Sequence, residues 1–249
     1  MAVAEVRFRS EAVGRWTTYQ VLLPDEGDGP FPVVLQLHGL SDDSRSWISR
    51  SNIERYVEDL PLVVVFPDGE TSGYVNWLES GRLHRHGYED LIVQEIPNHV
   101  RRHFNVTAGP WGIGGLSMGG YGSMRIGLKY PEQFASIWSH SSAFYINEYL
   151  QPGLAEPAVI GDADVRVHAQ KLLESKEPRP VISFDCGVDD ELIDQNRCLD
   201  AWMTSVGLDH HYAEHPGAHT WEYWDLHVQT ALAQHARVLI GTDNWSASG

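Results

Sequence analysis

The sequence predicts an α/β fold with a mostly parallel central sheet, an antiparallel N-terminal edge and helices on both faces. Three features carry that expectation. Short, nearly continuous apolar runs recur along the chain, as strands buried on both faces require. Segments with apolar residues at helical spacing separate them, which is the pattern of βαβ units. Finally, the stretch Gly114-Gly115-Leu116-Ser117-Met118-Gly119-Gly120 joins one such run to one such helix through a serine flanked by small residues. At 249 residues, with 42% hydrophobic and 21% charged content, the chain has a size that one α/β domain fills, so residues 1–249 are expected to form a single domain.

Val3 to Phe8 and Trp16 to Leu23 read as two extended segments turning near Gly14, an antiparallel edge hairpin closed by Pro24. Pro32 to Leu37 is a buried-strand run and ends in His38-Gly39-Leu40. A helix is expected over Ser46 to Leu60, then a second buried strand over Leu62 to Phe66, ending at Pro67-Asp68-Gly69. Gly73 to Gly87 reads as a long loop carrying Tyr74, Trp77, His84 and His86, and Tyr88 to Phe104 keeps helical spacing despite Pro97. The strand opening at Trp111 runs into the serine stretch, a helix follows to Lys129, and another strand is expected over Phe134 to Trp138. Residues 143–178 are polar, broken by Pro and Gly and weakly periodic, and could cap a site. A strand over Pro180 to Phe184, a helix over Glu191 to Val206, a last strand over His210 to Ala213 and a helix over Thr220 to Ile240 complete the pattern.

Charge narrows the partners. With 18 basic and 34 acidic residues the formal charge is −16, which repels nucleic-acid phosphates and anionic membrane surfaces, and no basic cluster offsets it. No nucleic-acid partner is expected. Met1 to Arg7 carry no apolar signal core and no run approaches bilayer-spanning length, so a cytoplasmic protein without membrane contact is expected. Two cysteines, Cys186 and Cys198, do not form a disulfide framework. His84 and His86 with their acidic neighbours fall short of a ligand set, so neither metal nor other cofactor is expected, while a homo-oligomer stays open.

The serine stretch matches G-x-S-x-G, the nucleophile elbow, in which a strand-to-helix turn exposes the serine oxygen. A serine hydroxyl needs a base within hydrogen-bond reach, and the base needs an acid that fixes its tautomer. Ligand crevices of open parallel sheets lie at the carboxyl ends of strands, so histidines and aspartates inside strands or helices are set aside. That leaves Asp189 and Asp190 after one strand, which spacing does not separate, and His215 and His219 after another, of which His219 follows the turn Pro216-Gly217-Ala218 and is preferred. The order Ser, Asp, His is that of the α/β-hydrolase fold. The N–H groups of Met118, after the serine, and Leu40, after the third strand, are the candidates for an oxyanion hole.

With these residues in place the chain resembles the esterase D family, over nearly its whole length. The marks are His38-Gly39-Leu40 with Trp47 downstream, Phe66-Pro67-Asp68-Gly69, Gly115-Leu116-Ser117-Met118-Gly119-Gly120-Tyr121-Gly122, Cys186-Gly187-Val188-Asp189-Asp190 with Asn196, and Pro216-Gly217-Ala218-His219-Thr220-Trp221. The resemblance implies a catalytic Ser117, Asp190 and His219, since Asp189 falls on the family's glutamate position. It also implies a serine carboxylesterase acting on a small-molecule ester through an acyl-enzyme. Where formylglutathione-type thioesterases of the family usually carry a cysteine, this chain has Ser41-Asp42-Asp43. A carboxylester is therefore favoured over such a thioester, and an acyltransferase with the same three residues is the other alternative. His38, Trp47, Tyr74, Trp77 and Trp221 are the candidates for lining a substrate pocket.

Overall fold

The computed structural model describes residues 1–77, 86–144 and 162–241. Eight strands form one sheet in the order β1-β2-β4-β3-β5-β6-β7-β8. β1 (Ala2–Arg9) and β2 (Trp16–Leu23) make the antiparallel edge, and β2 also runs antiparallel to β4 (Val63–Pro67). All further pairings are parallel, through β3 (Val33–Leu37), β5 (Trp111–Leu116), β6 (Phe134–His140), β7 (Val181–Gly187) and β8 (His211–His215). The expected fold class is thus the observed one.

The apolar runs are continuous because both sheet faces are covered. Val33, Leu35, Leu37, Val63 and Val65 join a core with α3 (Tyr88–Asp90), α4 (Ile96–His103), α5 (Met118–Lys129), α6 (Val165–Glu174) and α7 (Ile193–Val206). Val34, Val64 and Phe66 point the other way, into a core with α1 (Ser46–Arg50), α2 (Ile53–Val57) and α8 (Trp221–Ile240). From β3 the chain steps outward to β4 and then returns to place β5 on the other side of β3. Such a reversal opens a crevice at the carboxyl ends of the two strands. The residues there are His38-Gly39-Leu40 and Ser117.

Several boundaries depart from the sequence reading. The helix expected over Ser46 to Leu60 breaks into α1 and α2, because Ser51 is extended and the Asn52 backbone and side-chain N–H groups donate to the Asp225 carboxylate of α8 at 2.6 and 2.7 Å. Ser and Asn take such local alternatives readily. Tyr88 to His103 is helical, but Leu91–Glu95 between α3 and α4 widens to a π turn in which Ile96 N–H reaches Leu91 O. The wider turn relieves the clash that Pro97 would make with the carbonyl four residues earlier. β6 and β7 run two and three residues past their apolar runs, to His140 and Gly187, because the polar side chains of His140 and Asp185 are buried and bonded to each other. Of the 143–178 segment, residues 145–161 lie outside the described residues; α6 follows, packed on α5, with the Asp164 side chain capping it through Arg166 N–H at 2.9 Å. No helix among the described residues is long and apolar enough to cross a membrane.

Candidate active site

Ser117 sits between β5 and α5 with φ 53° and ψ −116°. Few residues other than glycine adopt such a backbone, at a cost of about 1–3 kcal/mol, so the surroundings must hold it. They do so through Ser117 N–H to His140 O at 2.9 Å, and through Ser117 O, which accepts from Tyr121 N–H at 3.0 Å and Ala143 N–H at 3.3 Å. The small neighbours are sterically required. A Cβ on Gly115 would stand 2.5 Å from Gly119 O, and one on Gly119 would stand 2.5 Å from His38 O, both backbone atoms with no room to yield.

His219 lies in the turn between β8 and α8. Its Nε2 is 3.0 Å from Ser117 Oγ and its Nδ1 is 2.9 Å from Asp190 Oδ2. Asp190, in the turn after β7, is buried, and its other oxygen accepts Leu192 N–H at 2.8 Å. Burial pushes this carboxyl up, yet the hydrogen bonds from His219 and Leu192 N–H outweigh burial and hold it below the usual carboxylate range. An ionised Asp190 only accepts, so Nδ1 carries the imidazole hydrogen and Nε2 is left to accept the Ser117 hydroxyl proton. Asp189 points to solvent, its N–H bonded to Gly217 O at 2.9 Å. His215 ends β8 with its ring stacked 4.2 Å from that of His227. The structure therefore brings Ser117, His219 and Asp190 together and leaves Asp189 and His215 aside.

The loop after β3 is pinned by three consecutive carbonyls. Trp47 Nε1 donates to Leu37 O at 3.0 Å, Tyr74 Oη donates to His38 O at 3.0 Å, and His38 Nδ1 bonds Gly39 O at 2.7 Å. His38 Nε2 accepts Gly69 N–H at 2.9 Å, which fixes the ring's tautomer. The next N–H is that of Leu40. It has no acceptor among the described residues, and Met118, as the first residue of α5, has no intrahelical acceptor for its own N–H.

Leu40, Ser117, Met118 and His219 all line one cleft of about 700 Å³. Of the aromatic candidates, Trp77 and Trp221 line it. His38, Trp47 and Tyr74 do not: each is buried at 1% exposure or less, because its polar atoms are spent on the backbone of the β3 loop, and the pocket assignment is corrected for these three. The structure adds Tyr121 and Trp224 to the lining, with the Trp224 ring edge-on to His219 at 4.9 Å. Their spacing carried a signal, since Tyr121 is one turn after Ser117 and Trp224 is one turn after Trp221. Behind the elbow, Asp185, set aside as a strand residue, accepts from Trp138 Nε1 at 2.6 Å, His140 Nδ1 at 2.7 Å and Tyr223 Oη at 2.8 Å. Asn196 brackets Ser142, its Nδ2 donating to Ser142 O at 3.0 Å. Of the two loop histidines, His84 lies outside the described residues, and no group of three or more metal-ligating side chains occurs among those described.

A serine elbow at the crossing point of such a sheet belongs to the α/β-hydrolases, and the fold is theirs. It matches a solved fluorophosphonate-binding serine hydrolase F of Staphylococcus aureus, substrate bound, with a TM-score of 0.84, 24% identity and coverage of 94% of this chain and 98% of that one. Residues 10–235 match the family model described as "Putative esterase", and the chain belongs to that family, which makes it an enzyme acting on ester bonds. An acetyl esterase of Caldicellulosiruptor saccharolyticus is 28% identical over 268 residues, covering 96% of this chain and 99% of the relative. An S-formylglutathione hydrolase of Paracoccus denitrificans (strain Pd 1222) is 24% identical, covering 93% and 90%.

Proposed function

We propose that this chain is a serine carboxylesterase that cleaves small or aromatic carboxylic esters through an acyl-enzyme. The observation that carries the reading is the placement of His219 between the Asp190 carboxylate at 2.9 Å and the Ser117 hydroxyl at 3.0 Å. Ser117 Oγ attacks the ester carbonyl while His219 Nε2 takes its proton, and Asp190 steadies the imidazolium that forms. The Leu40 and Met118 N–H groups hold the oxyanion. His219 then returns the proton to the leaving alcohol, and water, activated by the same nitrogen, releases the acid and restores Ser117. Every step uses groups of the chain itself, so no cofactor is invoked. The continuity of one eight-stranded sheet from Ala2 to His215 supports a single catalytic domain.

Hydrolysis of p-nitrophenyl acetate by the wild type and by Ser117→Ala tests the reading. A loss of about 10⁴-fold or more in kcat is expected; equal rates would refute it. A thioesterase reading draws on the formylglutathione-cleaving relative, whereas Ser41-Asp42-Asp43 favours an oxygen ester. Side-by-side kcat/KM on S-formylglutathione and p-nitrophenyl acetate separates the two. Product partition between water and added alcohols detects an acyltransferase.

A further inference from the structure

The mechanism fixes where the two halves of an ester must lie. His219 protonates the leaving oxygen, so the alcohol portion extends along the wall that carries His219. That wall is built from the turns bearing the acid and the base, and its charged members are Glu191, beside Asp190, and Glu222, three residues after His219. Both are exposed, and neither has a cationic partner among the described residues. The cleft contains one further acid and, among the described residues, one cation, Asp42 and Arg50, which stand 3.6 Å apart and offset each other. Among the described residues no cation offsets the Glu191 and Glu222 carboxylates, and Glu222 stays ionised in the first turn of α8, where a hydrogen bond with Thr220 holds it below the usual carboxylate range. The Arg50 guanidinium also lies 5.8 Å from the Trp221 ring centroid, so an indole of this cleft already receives a cation on its face. The charge of −16 on the whole chain adds a field of the same sign at the cleft mouth.

Resting on the esterase reading above, we propose that the cleft selects its substrate by the charge of the alcohol, with Glu191 and Glu222 favouring esters of cationic alcohols over neutral ones and rejecting anionic ones. The acyl group is not part of this selection, since the two glutamates belong to the leaving-group wall. A thioester of an anionic thiol is disfavoured on the same ground.

A series sharing one acyl group tests it: choline acetate, its neutral isostere 3,3-dimethylbutyl acetate, and 3-acetoxypropane-1-sulfonate, each kcat/KM divided by that ester's own hydroxide-catalysed rate. At an ionic strength of about 10 mM, where the screening length is about 30 Å, the cation-to-anion ratio should be about tenfold or more, and at about 1 M salt, where that length is about 3 Å, it should shrink to within about twofold. The double variant Glu191→Gln, Glu222→Gln should bring the low-salt ratio within about threefold. A ratio near one in the wild type, or a preference for the sulfonate, overturns the proposal. A large ratio that survives both glutamine substitutions overturns its assignment to these residues, while the salt series on the wild type tests the charge selection itself without any variant. If Ser117-dependent cleavage of the neutral ester is present while the charge series is flat, only this proposal fails. If none of the three acetates nor p-nitrophenyl acetate is cleaved, the esterase reading fails and takes this inference with it.

Discussion

Replacing Asp190 with Asn tests the proposed relay without changing its shape. The Oδ1 position must remain an acceptor, because Leu192 N–H donates to it at 2.8 Å in a buried turn. An asparagine therefore keeps its carbonyl oxygen there and turns its NH₂ toward His219 Nδ1, where Oδ2 now stands at 2.9 Å. Two donors cannot face each other, so Nδ1 gives up its hydrogen and Nε2 takes one. Nε2–H then confronts Ser117 Oγ at 3.0 Å and cannot accept its proton. A wrong tautomer with intact geometry costs about 10⁴-fold in kcat in a serine protease of another fold, about 5 kcal/mol of barrier. A loss of that order is expected with p-nitrophenyl acetate, with KM within about threefold. Thermal melting of the variant serves as the fold control. Retention of more than about a tenth of wild-type kcat, with the melting point unchanged, refutes the tautomer argument and with it the role given to Asp190.

Two further outcomes follow from buried groups. Tyr74→Phe removes the donor to His38 O and leaves that carbonyl unpaired in a buried loop; kcat should fall about tenfold with KM little changed, because the Leu40 N–H acts on the transition state, and a change confined to KM would count against the pinning role. Stability should fall as the pH drops from about 6.5 toward 4, since burial pushes His235 down to about 3 and His227 to about 4, and His168 and His99 shift the same way. These rings stay neutral when folded while the unfolded chain takes up protons below about 6.5, so the stability they contribute is present above that value and lost beneath it. A second decline belongs below about pH 4. There Asp185 and Asp190, pushed up by burial but drawn lower still, Asp185 by electrostatic attraction to His140 and its hydrogen bonds and Asp190 by its hydrogen bonds, must be protonated as the pH falls through their depressed values. Urea midpoints at pH 8, 6, 5 and 3 check both declines, and a midpoint constant down to pH 5 would rule out the histidine contribution.

The sheet was readable because its strands are buried on both faces, which leaves runs such as Val33 to Leu37 and Val63 to Phe66 with almost no polar residue to confuse the period. Helix boundaries were less readable, since they turn on partners distant in sequence. The break at Ser51-Asn52 exists because Asp225, on α8, accepts from Asn52. The polar end of β6 was invisible for a related reason. Ser139 and His140 are strand residues with no apolar signal, and His140 is held there by a buried network that joins it through Asp185 to Trp138 and Tyr223.

At the site, residue order along the chain singled out Ser117 and His219 and narrowed the acid to Asp189 or Asp190, because strand ends converge at one crevice whatever fills the loops between them, and the family resemblance then pointed to Asp190, which the fold brings to His219. Pocket walls follow a different logic. His38, Trp47 and Tyr74 sit beside the motif in sequence and could have faced the substrate, yet their donors go to three successive carbonyls, Gly39 O, Leu37 O and His38 O. An aromatic side chain with a polar tip fits either side of such a loop, and composition carries no sign of which side it takes. The consequence is a division of labour that only the packing reveals. The residues nearest the motif fix the backbone that presents the Leu40 N–H. Tyr121, Trp221, Glu222 and Trp224, at or just past the motif ends, line the cleft instead. On the proposed charge selection, Glu191 and Glu222, rather than the motif around Ser117, set which ester is preferred.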